Sequence, residues 1–366
     1  MAKPNIKDLY SQELRDWLGS RTEASYRAQQ IQRWLFQKGA GSFLEMTNLS
    51  SGLRGALETE YSISRLNTLS RSSSLDGTVK FLFGLADGLS IESVLIPETK
   101  RLTLCISTQA GCGFGCAFCA TALMGLKRSL RASEIVDQLL EARRPLAAGK
   151  RITHVVLMGM GEPLANYNQT LKAVNILSDA DWGIGISPRR ITLSTVGLVP
   201  QMKRLMEETH VNLAISLHAT TDELRSQLMP VNRKYPLPEL IDCCRSLPLP
   251  KRRRITFEYV MLRGVNHSAE DARRLSELLN GIRAKINLIP FNPHPGSSYQ
   301  RPTRDEILQF QDSLQARGHQ VNVREPRGDD IQAACGQLSV VNGETVRGKV
   351  LGVRGTPDPS LLTTHP

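Results

Sequence analysis

Three cysteines stand at the spacing C-x3-C-x2-C, at Cys112, Cys116 and Cys119. Gly113 and Gly115 lie between them and let the backbone wrap around a small inorganic centre. Thiolates are the usual protein ligands of iron–sulfur clusters, and four of them close the coordination shell. Three thiolates leave one iron open to a small molecule. The spacing therefore predicts a cluster with a reactive corner.

A zinc site is the alternative interpretation of these cysteines. Structural zinc normally takes four ligands, often as two C-x2-C units or as one such unit with a histidine pair. Neither a second C-x2-C unit nor an H-x3-H pair occurs in the chain. The cluster is the favoured interpretation, with zinc binding or plain buried cysteines as the alternatives.

The composition is that of a soluble protein with a substantial core. The chain has 366 residues, of which 40% are hydrophobic and 22% charged, enough for one large and one smaller domain. Residues 1–7 lack the apolar core of a secretory signal, and no run reaches the ~18 apolar residues of a membrane span. We therefore expect a cytoplasmic protein without membrane contact. In that compartment, the seven cysteines are expected to serve metal or redox chemistry rather than stable disulfides.

The charge balance favours a polyanionic partner. The formal net charge is +11 and the isoelectric point is near 9.5. Basic residues form short groups at 127–128, 143–144, 189–190 and 251–254. RNA or DNA is the natural candidate. The alternative is a basic surface that is only solvated.

Residues 6 to about 60 are predicted to form short helices. Apolar residues recur at helical spacing before Gly19 and again before Gly39. We expect most aromatic residues of these helices, Trp17, Tyr26 and Trp34, to lie in the core.

Two Asp-Gly pairs then separate three runs with strand character. The pairs are 76–77 and 87–88, and the runs are 66–73, 78–85 and 89–96. Asp-Gly suits the tight turns of hairpins, so this segment is predicted to be a small antiparallel β meander of three strands.

From about residue 101, strands alternate with helices. Six β–α repeats of continuous apolar strands predict a parallel sheet that is buried on both faces and curved or closed. The fold class is therefore α/β, a partial (β/α)6 barrel of the TIM type with an N-terminal helical domain and the meander. Ser133 is the expected N-cap of the first helix of the barrel. The predicted strands are 102–107, 152–158, 191–195, 211–217, 255–262 and 286–289; the predicted helices include 133–146, 168–178 and 268–280; a helix at 304–317 and a short strand at 320–324 follow.

Chemistry in such barrels lies at the carboxyl ends of the strands. The cysteine loop directly follows the first strand, and the segment 159–163, of sequence GMGEP, follows the second. Ser194 ends the third strand, 216–218 follow the fourth and Asn292 follows the sixth. We therefore expect these segments to surround one mouth of the barrel.

The cysteine loop, the Gly-Glu-Pro turn and the β/α repeats resemble the radical S-adenosylmethionine superfamily. Within it, the sequence is similar to the bacterial adenine-C2 RNA methyltransferases that act on both 23S ribosomal RNA and transfer RNA. Seven blocks in order carry the resemblance and cover nearly the whole chain. They are SIESVLIPE (90–98), LCISTQAGCGFGCAFCATALMGLKR (104–128), GMGEPLANY (159–167), ITLSTVG (191–197), AISLHA (214–219), NLIPFNPHPG (287–296) and AACGQL (333–338).

The resemblance implies a set of ligands for two cofactors. One [4Fe–4S] cluster is held by the three cysteines of the loop, and S-adenosylmethionine completes the open iron with its amino and carboxylate groups. Two molecules of S-adenosylmethionine are used per turnover. The implied residues are Cys112, Cys116 and Cys119 for the cluster, Gly161 and Glu162 for the amino group, and Ser194, Ser216, Leu217, His218 and Asn292 for the rest of the pocket.

The resemblance also assigns three catalytic residues. Adenine C2 has no lone pair with which to attack a methyl donor, so the family methylates Cys335 first, by ordinary displacement. A 5′-deoxyadenosyl radical then removes hydrogen from the S-methyl group, and the carbon radical adds to C2. Glu92 takes the C2 proton, and Cys105 releases the product by forming a transient disulfide with Cys335. Without the resemblance, Glu92 would be interpreted as a solvated strand residue and Cys105 as a structural cysteine.

The implied partners are RNAs and a reductant. They are 23S ribosomal RNA before full ribosome assembly, transfer RNA, and an electron donor such as flavodoxin or ferredoxin, acting on a monomeric enzyme. The expected domains are a helical RNA-binding domain (1–62), the β extension (63–98), the core with the Cys335 loop (99–340) and a tail (341–366), disordered after about residue 350.

Two other functions stay open at the level of sequence. A related enzyme that methylates C8 of the same ribosomal adenosine shares the cluster and both accessory cysteines. A non-catalytic, zinc-stabilised RNA-binding protein is the more distant alternative. Cys243 and Cys244 match no functional position and are expected to be packing residues.

Overall fold

The N-terminal segment is helical, as its apolar spacing predicts. The computed structural model describes residues 3–341 and 344–345, so the predicted disordered tail lies outside the described residues. The helix α2 continues as a π-helical segment, Arg33–Lys38, which ends at Gly39 with φ of 70°, a conformation that suits glycine. The helices are α1 (Ser11–Gly19), α2 (Tyr26–Gln32) and α3 (Ser51–Glu60).

Of the three aromatic residues, most of which are expected in the core, Tyr26 is the exception. Its side chain is 55% exposed, because Tyr26 begins α2 and lies beside the guanidinium of Arg27, 5.0 Å from the ring centroid. Trp17 and Trp34 are partly buried against the core. The amphipathic stripe is instead completed by buried aliphatic residues such as Leu14 and Leu18.

The predicted meander is present and forms one edge of a larger sheet. Its strands are β1 (Asn67–Ser73), β2 (Val79–Gly84) and β3 (Ser90–Glu98), paired antiparallel. β3 also pairs antiparallel with the next strand, β4 (Arg101–Cys105), in a register that places Val94 opposite Cys105. The meander is thus continuous with the core sheet, and the domain boundary at residue 98 stays a prediction.

The six predicted strands of the barrel are present and parallel. The elements after β4 are β5 (Gln109–Gly111), α4 (Ala120–Leu123), β6 (Leu126–Ser129), α5 (Ala132–Arg143), β7 (His154–Leu157), α6 (Tyr167–Ser178), β8 (Ile191–Thr195), α7 (Val199–Glu208), β9 (Asn212–Ser216), α8 (Asp222–Leu228), α9 (Leu237–Ser246), β10 (Ile255–Met261), α10 (Ala269–Leu278), β11 (Ala284–Pro290), α11 (Arg304–Gln315) and β12 (Val321–Val323). In space the order of the strands in the sheet is β1-β2-β3-β4-β7-β8-β9-β10-β11-β12.

The sheet is an open, partial barrel. The short predicted strand at 320–324 is β12, which pairs parallel with β11 and adds a seventh parallel strand. No ladder joins β12 to β1 among the strands that the structure describes. Helices cover the parallel strands, which agrees with their continuous apolar character. Cys243 and Cys244 are both buried on α9, as expected for packing residues.

The N-terminal helices are fastened to the core through α5 and α6. Lys7 and Asp137 form a buried ion pair at 2.6 Å. The prediction that Ser133 caps α5 is wrong, because Ser133 lies inside the first turn and its backbone N–H donates to Asp8 at 2.9 Å. A carboxylate from the N-terminal segment therefore satisfies this helix terminus. Lys172 of α6 donates to the Asp8 carbonyl at 2.8 Å.

None of the helices that the structure describes combines the length and apolar character needed to cross a membrane.

Candidate active site

The cysteine loop is built on the small hairpin β5–β6. Gly111 has φ of 77°, and a Cβ there would stand 1.9 Å from the carbonyl oxygen of Gly125, so only glycine allows this crossing. Backbone hydrogen bonds hold the loop on two sides. Ala117 N–H donates to the carbonyl at the end of α8, and Ala120 N–H donates to Gly336 at 2.7 Å. The loop is thus fixed between α8 and the segment that carries Cys335.

The three cysteines of the loop are half-buried. Burial raises the pKa of Cys112 to about 12. The backbone hydrogen bond opposes this shift, and the neighbouring charges add to it. Burial and then the neighbouring thiols raise the pKa of Cys116 well above its usual value, and burial raises that of Cys119. Among the described residues, no three His, Cys, Asp or Glu side chains form a ready cage for one metal ion. A cluster places each thiolate on a different iron, so its ligands need a wider arrangement than one ion does.

A buried cation beside the loop supports the fit of an anionic cluster. Arg225 is 0% exposed and forms no salt bridge in the described part of the chain. Its guanidinium donates to the carbonyls of Val196 (2.8 Å), Ser216 (3.1 Å) and Leu217 (3.1 Å), at the ends of β8 and β9. Burial lowers its pKa to about 10, while Cys116 is the largest opposing influence. A cluster carried by three thiolates would add negative charge beside this buried cation.

The GMGEP segment packs tightly on the loop that follows β4. A Cβ on Gly161, which has φ of 95°, would lie 2.5 Å from the Cβ of Gln109. The Glu162 carboxylate is buried and accepts backbone N–H groups from Leu164 (3.0 Å) and Val196 (2.8 Å). Burial raises the pKa of Glu162 to about 7. The charge of this carboxylate acts on Cys112 and Cys116, so a ligand ammonium bound beside the loop would be stabilised by Glu162.

His218 is positioned by the backbone around it. It has φ of 60°, and its Nδ1 accepts the N–H of Val260 at 2.9 Å, which leaves the ring proton on Nε2. Burial, with Arg225 as the second cause, lowers the pKa of His218 to about 3. The neutral ring packs edge-on against Phe118 of the cysteine loop, with centroids 4.7 Å apart.

The strand-end residues near His218 follow the predicted mouth. Ser216 ends β9, and Ser194 is the last but one residue of β8; both are half-buried, whereas Leu217 is fully buried. The carbonyls of Ser216 and Leu217 both accept hydrogen bonds from Arg225, as described above. Their contact with S-adenosylmethionine stays a prediction.

Cys105 and Cys335 line the same cleft. With Cys119, Asn292 and Arg324 they surround an open volume of about 640 Å³. Asn292 donates to the Cys335 carbonyl at 3.0 Å. Burial and then Cys335 raise the pKa of Cys105 to about 12. The structure thus brings two cysteines, 230 residues apart in sequence, to the edge of the cluster loop.

Glu92 lies behind the Cys335 segment and does not line this cleft. Its carboxylate is 0% exposed and pairs with Lys80 at 3.0 Å. It also accepts the backbone N–H of Ser339 at 3.0 Å. Lys80 in turn donates to the carbonyl of Gln332 at 3.2 Å. In this conformation Glu92 fastens both ends of the segment that carries Cys335, and its role as a base stays a prediction.

Sequence reasoning missed two cations of the site, Arg225 and Arg324. Arg324 follows β12, and the largest influence raising its pKa is Cys335, with Cys105 among the lesser ones. Neither arginine stands in a motif that separates it from the other members of a set of 46 lysines and arginines. Only the fold shows that they face the thiols.

Comparison with known proteins places this site in a family. Residues 106–276 match the model described as "Radical SAM superfamily", and residues 4–63 match "Ribosomal RNA large subunit methyltransferase N-terminal domain". The chain is 50% identical over 333 residues to the "Dual-specificity RNA methyltransferase RlmN" of Syntrophobacter fumaroxidans, covering 91% of this chain and 97% of that protein. It is 51% identical over 334 residues to the protein of the same name from Geobacter sulfurreducens, covering 91% of each.

A solved structure agrees with these relatives. The "radical SAM methyltransferase from Sphaerobacter thermophilus" superposes with a TM-score of 0.84 at 44% identity, covering 92% of this chain and 99% of that one. The fold, the cysteine loop and the N-terminal helices are thus matched together, over nearly the whole chain. The protein is a methyltransferase of the radical S-adenosylmethionine superfamily and belongs to the RlmN family.

Proposed function

We propose that this enzyme methylates C2 of an adenosine in 23S ribosomal RNA, at the peptidyl transferase centre, and of the adenosine 3′ of the anticodon in transfer RNAs. The observation that carries the proposal is the shared cleft of Cys105, Cys335 and Cys119. A methyl carrier, a thiol that can release it and a cluster ligand line one space. The relatives are named dual-specificity RNA methyltransferases, which supports RNA as the substrate.

Cys112, Cys116 and Cys119 would hold a [4Fe–4S] cluster, and Gly161, Glu162, Ser194, Ser216, Leu217, His218 and Asn292 would hold S-adenosylmethionine. When bound, these groups supply the radical that removes a hydrogen atom from an S-methyl group. The chain's own part begins with Glu162. Its buried carboxylate meets the ammonium of the cofactor, which favours the ionised form of Glu162.

Cys335 is the methyl carrier in this proposal. Its thiolate attacks the methyl group of one S-adenosylmethionine, the C–S bond of the sulfonium breaks, and S-adenosylhomocysteine leaves. Arg324 faces this thiolate across the cleft and favours its negative charge. After the methylene carbon has joined C2 of the base, Cys335 holds the RNA covalently.

Cys105 and Glu92 complete the turnover. Glu92 takes the proton lost from C2, for which its carboxylate must exchange the Ser339 N–H for the substrate. One electron also leaves the radical adduct, and the oxidised cluster, when bound, would be its acceptor. The Cys105 thiolate then attacks the Cys335 sulfur, so the bond between sulfur and the methylene breaks and the electron pair stays on carbon, which takes up a proton. The product is a disulfide, which an outside dithiol or protein reductant must reduce before the next cycle.

Further parts of the proposal concern the cellular setting. The substrate is 23S ribosomal RNA before full ribosome assembly, as well as transfer RNA. Flavodoxin or ferredoxin supplies the electron, and the enzyme acts as a monomer in the cytoplasm. The 1–62 helical segment is proposed to bind RNA.

Nucleoside mass spectrometry tests the reaction. The anaerobically reconstituted protein, with about four irons per chain, is incubated with protein-free 23S ribosomal RNA or transfer RNA, S-adenosylmethionine and a reductant. We expect 2-methyladenosine in both RNAs and none with Cys335→Ala. Formation of 8-methyladenosine would assign the C8 reaction instead. A chain that binds zinc and no iron, and modifies neither RNA, would favour the non-catalytic alternative.

A further inference from the structure

A second cleft lies at the opposite edge of the parallel sheet. We call it the basic cleft and define it by six cations. It opens between the N-terminal helices and the core, and its empty volume is about 1840 Å³. Its walls come from the end of the π-helical segment, from the turn that follows α5, and from the loop that enters β8. The six cations are Lys38, Arg65, Arg143, Lys150, Arg151 and Arg190.

The charge of the basic cleft is not neutralised from within. One acidic residue, Glu141, lines it, and this carboxylate pairs with Arg144 at 3.0 Å. Lys7, which also lines the cleft, is paired with Asp137. Within the described part of the chain, none of the six defining cations forms a salt bridge. Six like charges that converge on one concave space favour an anionic ligand.

Three of the six cations are held in place without being neutralised. Arg143 donates to the carbonyl of Phe36 at 2.9 Å, and Arg65 donates to that of Gly39 at 3.0 Å. Lys38 lies over the ring of Trp34, with its Nζ 3.5 Å from the centroid. These contacts orient the cations and leave their charge in place. The Arg143 bond also has a structural role, because it joins α5 of the core to the N-terminal helices.

The other three cations are not held by contacts of this kind. The side chains of Lys150, Arg151 and Arg190 are exposed and form no hydrogen bond within the described residues. They come from two separate loops that precede β7 and β8. Two loops of the core therefore present cations to the same space, with nothing in the described fold to hold them there.

We propose that the basic cleft binds the phosphate backbone of the RNA substrate, at a distance from the nucleotide that is methylated. The inference rests on the proposed function, because it takes the RNA from there. Strands β7 and β8 have four and five residues, so roughly 15 Å of strand separates this edge from the carboxyl edge with the cysteine cleft. A folded RNA can contact both edges, whereas a single nucleotide cannot. Phosphate contacts would position the RNA without reading its sequence.

Salt-dependent binding tests the basic cleft. The full-length reconstituted enzyme and its Lys150→Gln/Arg151→Gln/Arg190→Gln variant are titrated with transfer RNA at several KCl concentrations. Each lost phosphate contact lowers the slope of log K against log salt by about 0.7 to 0.9. We expect the variant to lose roughly two units of slope and at least tenfold in affinity at low salt. Its iron content and its turnover rate at saturating RNA are expected to match the wild type.

The matched control removes the same charge elsewhere. Lys203, Lys251 and Arg252 are exposed and lie outside the cleft, so Lys203→Gln/Lys251→Gln/Arg252→Gln also lowers the net charge by three. An equal loss of affinity in the control would overturn the proposal, because net charge and not the cleft would then decide binding. An unchanged slope in the cleft variant would overturn it as well.

Two further outcomes distinguish RNA binding at the basic cleft from binding of free phosphate, and this inference from the proposed function. If inorganic phosphate raises the melting temperature of the wild type but not of the cleft variant, while both bind transfer RNA equally, the cleft takes free phosphate and the RNA assignment fails. If the wild type methylates transfer RNA and the cleft variant keeps its full affinity, the basic cleft inference fails while the proposed function stands.

Discussion

At the scale of single residues, the site is a set of thiols placed among buried charges. Cys105 and Cys335 share a cleft with Arg324, and Cys116 of the cysteine loop influences the pKa of the buried Arg225. A thiolate is the nucleophile in methyl transfer and in disulfide exchange. The two arginines are therefore placed to stabilise thiolates, whereas carboxylates at the same positions would destabilise them.

The role of Arg324 predicts a change in the reactivity of Cys335. Arg324→Gln removes the cation that faces the thiolate, and we expect Cys335 to be alkylated by iodoacetamide about tenfold more slowly, which corresponds to about 1.4 kcal/mol. Arg324→Lys keeps the charge and is expected to restore most of the rate. The modified residue is identified by peptide mass spectrometry. Equal alkylation rates in wild type and Arg324→Gln would show that Arg324 does not activate Cys335.

The raised pKa of Glu162 predicts that the stability of the protein without its cofactors depends on pH. Its pKa is raised by burial to about 7, so between about pH 4.5 and pH 7 the folded state holds a proton that the unfolded state has lost. Stability from this group therefore falls as pH rises through that window, by up to about 3 kcal/mol. Urea unfolding at pH 5 and pH 7 measures it. Glu162→Gln is expected to flatten the profile, and parallel profiles for both proteins would contradict the assignment.

The residue types of the site could be predicted from the chain, but their surroundings could not. The cysteine spacing predicts a cluster site on its own, whereas Cys105, Glu92 and Cys335 became candidates only through the resemblance. The ion pair of Glu92 with Lys80 and its bond to Ser339 join segments that are far apart in sequence. Such contacts depend on the tertiary fold, which no local pattern encodes.

At the scale of elements, buried polar contacts join the N-terminal helices to the core. The Lys7–Asp137 pair is almost fully buried, with side chains 2% and 3% exposed. Lys7 also donates to the carbonyl of Ser64 at 2.8 Å. Asp8 caps the start of α5. The helical segment that matches the methyltransferase N-terminal model is therefore anchored to the first helix of the barrel.

A double-mutant cycle measures the strength of this anchor. Lys7→Met leaves the Asp137 carboxylate buried without its partner, and we expect the free energy of unfolding to fall by about 3 to 5 kcal/mol. Lys7→Met/Asp137→Leu is expected to recover most of that loss. As the exposed control, Arg21→Met breaks the pair with Glu60 and is expected to change the free energy of unfolding far less, because water screens this pair. A loss at Lys7 as small as at Arg21 would contradict the anchor.

The elements themselves were largely predictable. Continuous apolar runs identify six parallel strands, and the Asp-Gly turns identify the meander, because both signals are local. Ser133 was assigned as a cap from its type alone, yet the donor group at that helix end finds its acceptor in Asp8, 125 residues away. The meander and the barrel share one sheet because β3 pairs with β4. The pattern of apolar and polar residues along a strand does not show which strand it pairs with.

At the scale of the whole molecule, the two edges of the parallel sheet carry different chemistry. The carboxyl edge holds the cysteine loop and the cleft of Cys105 and Cys335, and the amino edge holds the basic cleft. The net charge of +11 is thus concentrated in part where RNA phosphates would be bound away from the reaction. An RNA methyltransferase needs both a reactive cavity and a surface that grips a folded RNA.

In the proposed mechanism, Cys335 carries the RNA and Cys105 releases it. The most direct test is the intact mass of the protein after reaction with transfer RNA, for reconstituted Cys105→Ala and Cys335→Ala variants of equal iron content. We predict that Cys105→Ala accumulates a covalent protein–RNA adduct through Cys335, and that Cys335→Ala forms none. Normal turnover by Cys105→Ala without an adduct, or an adduct in Cys335→Ala, would contradict the account.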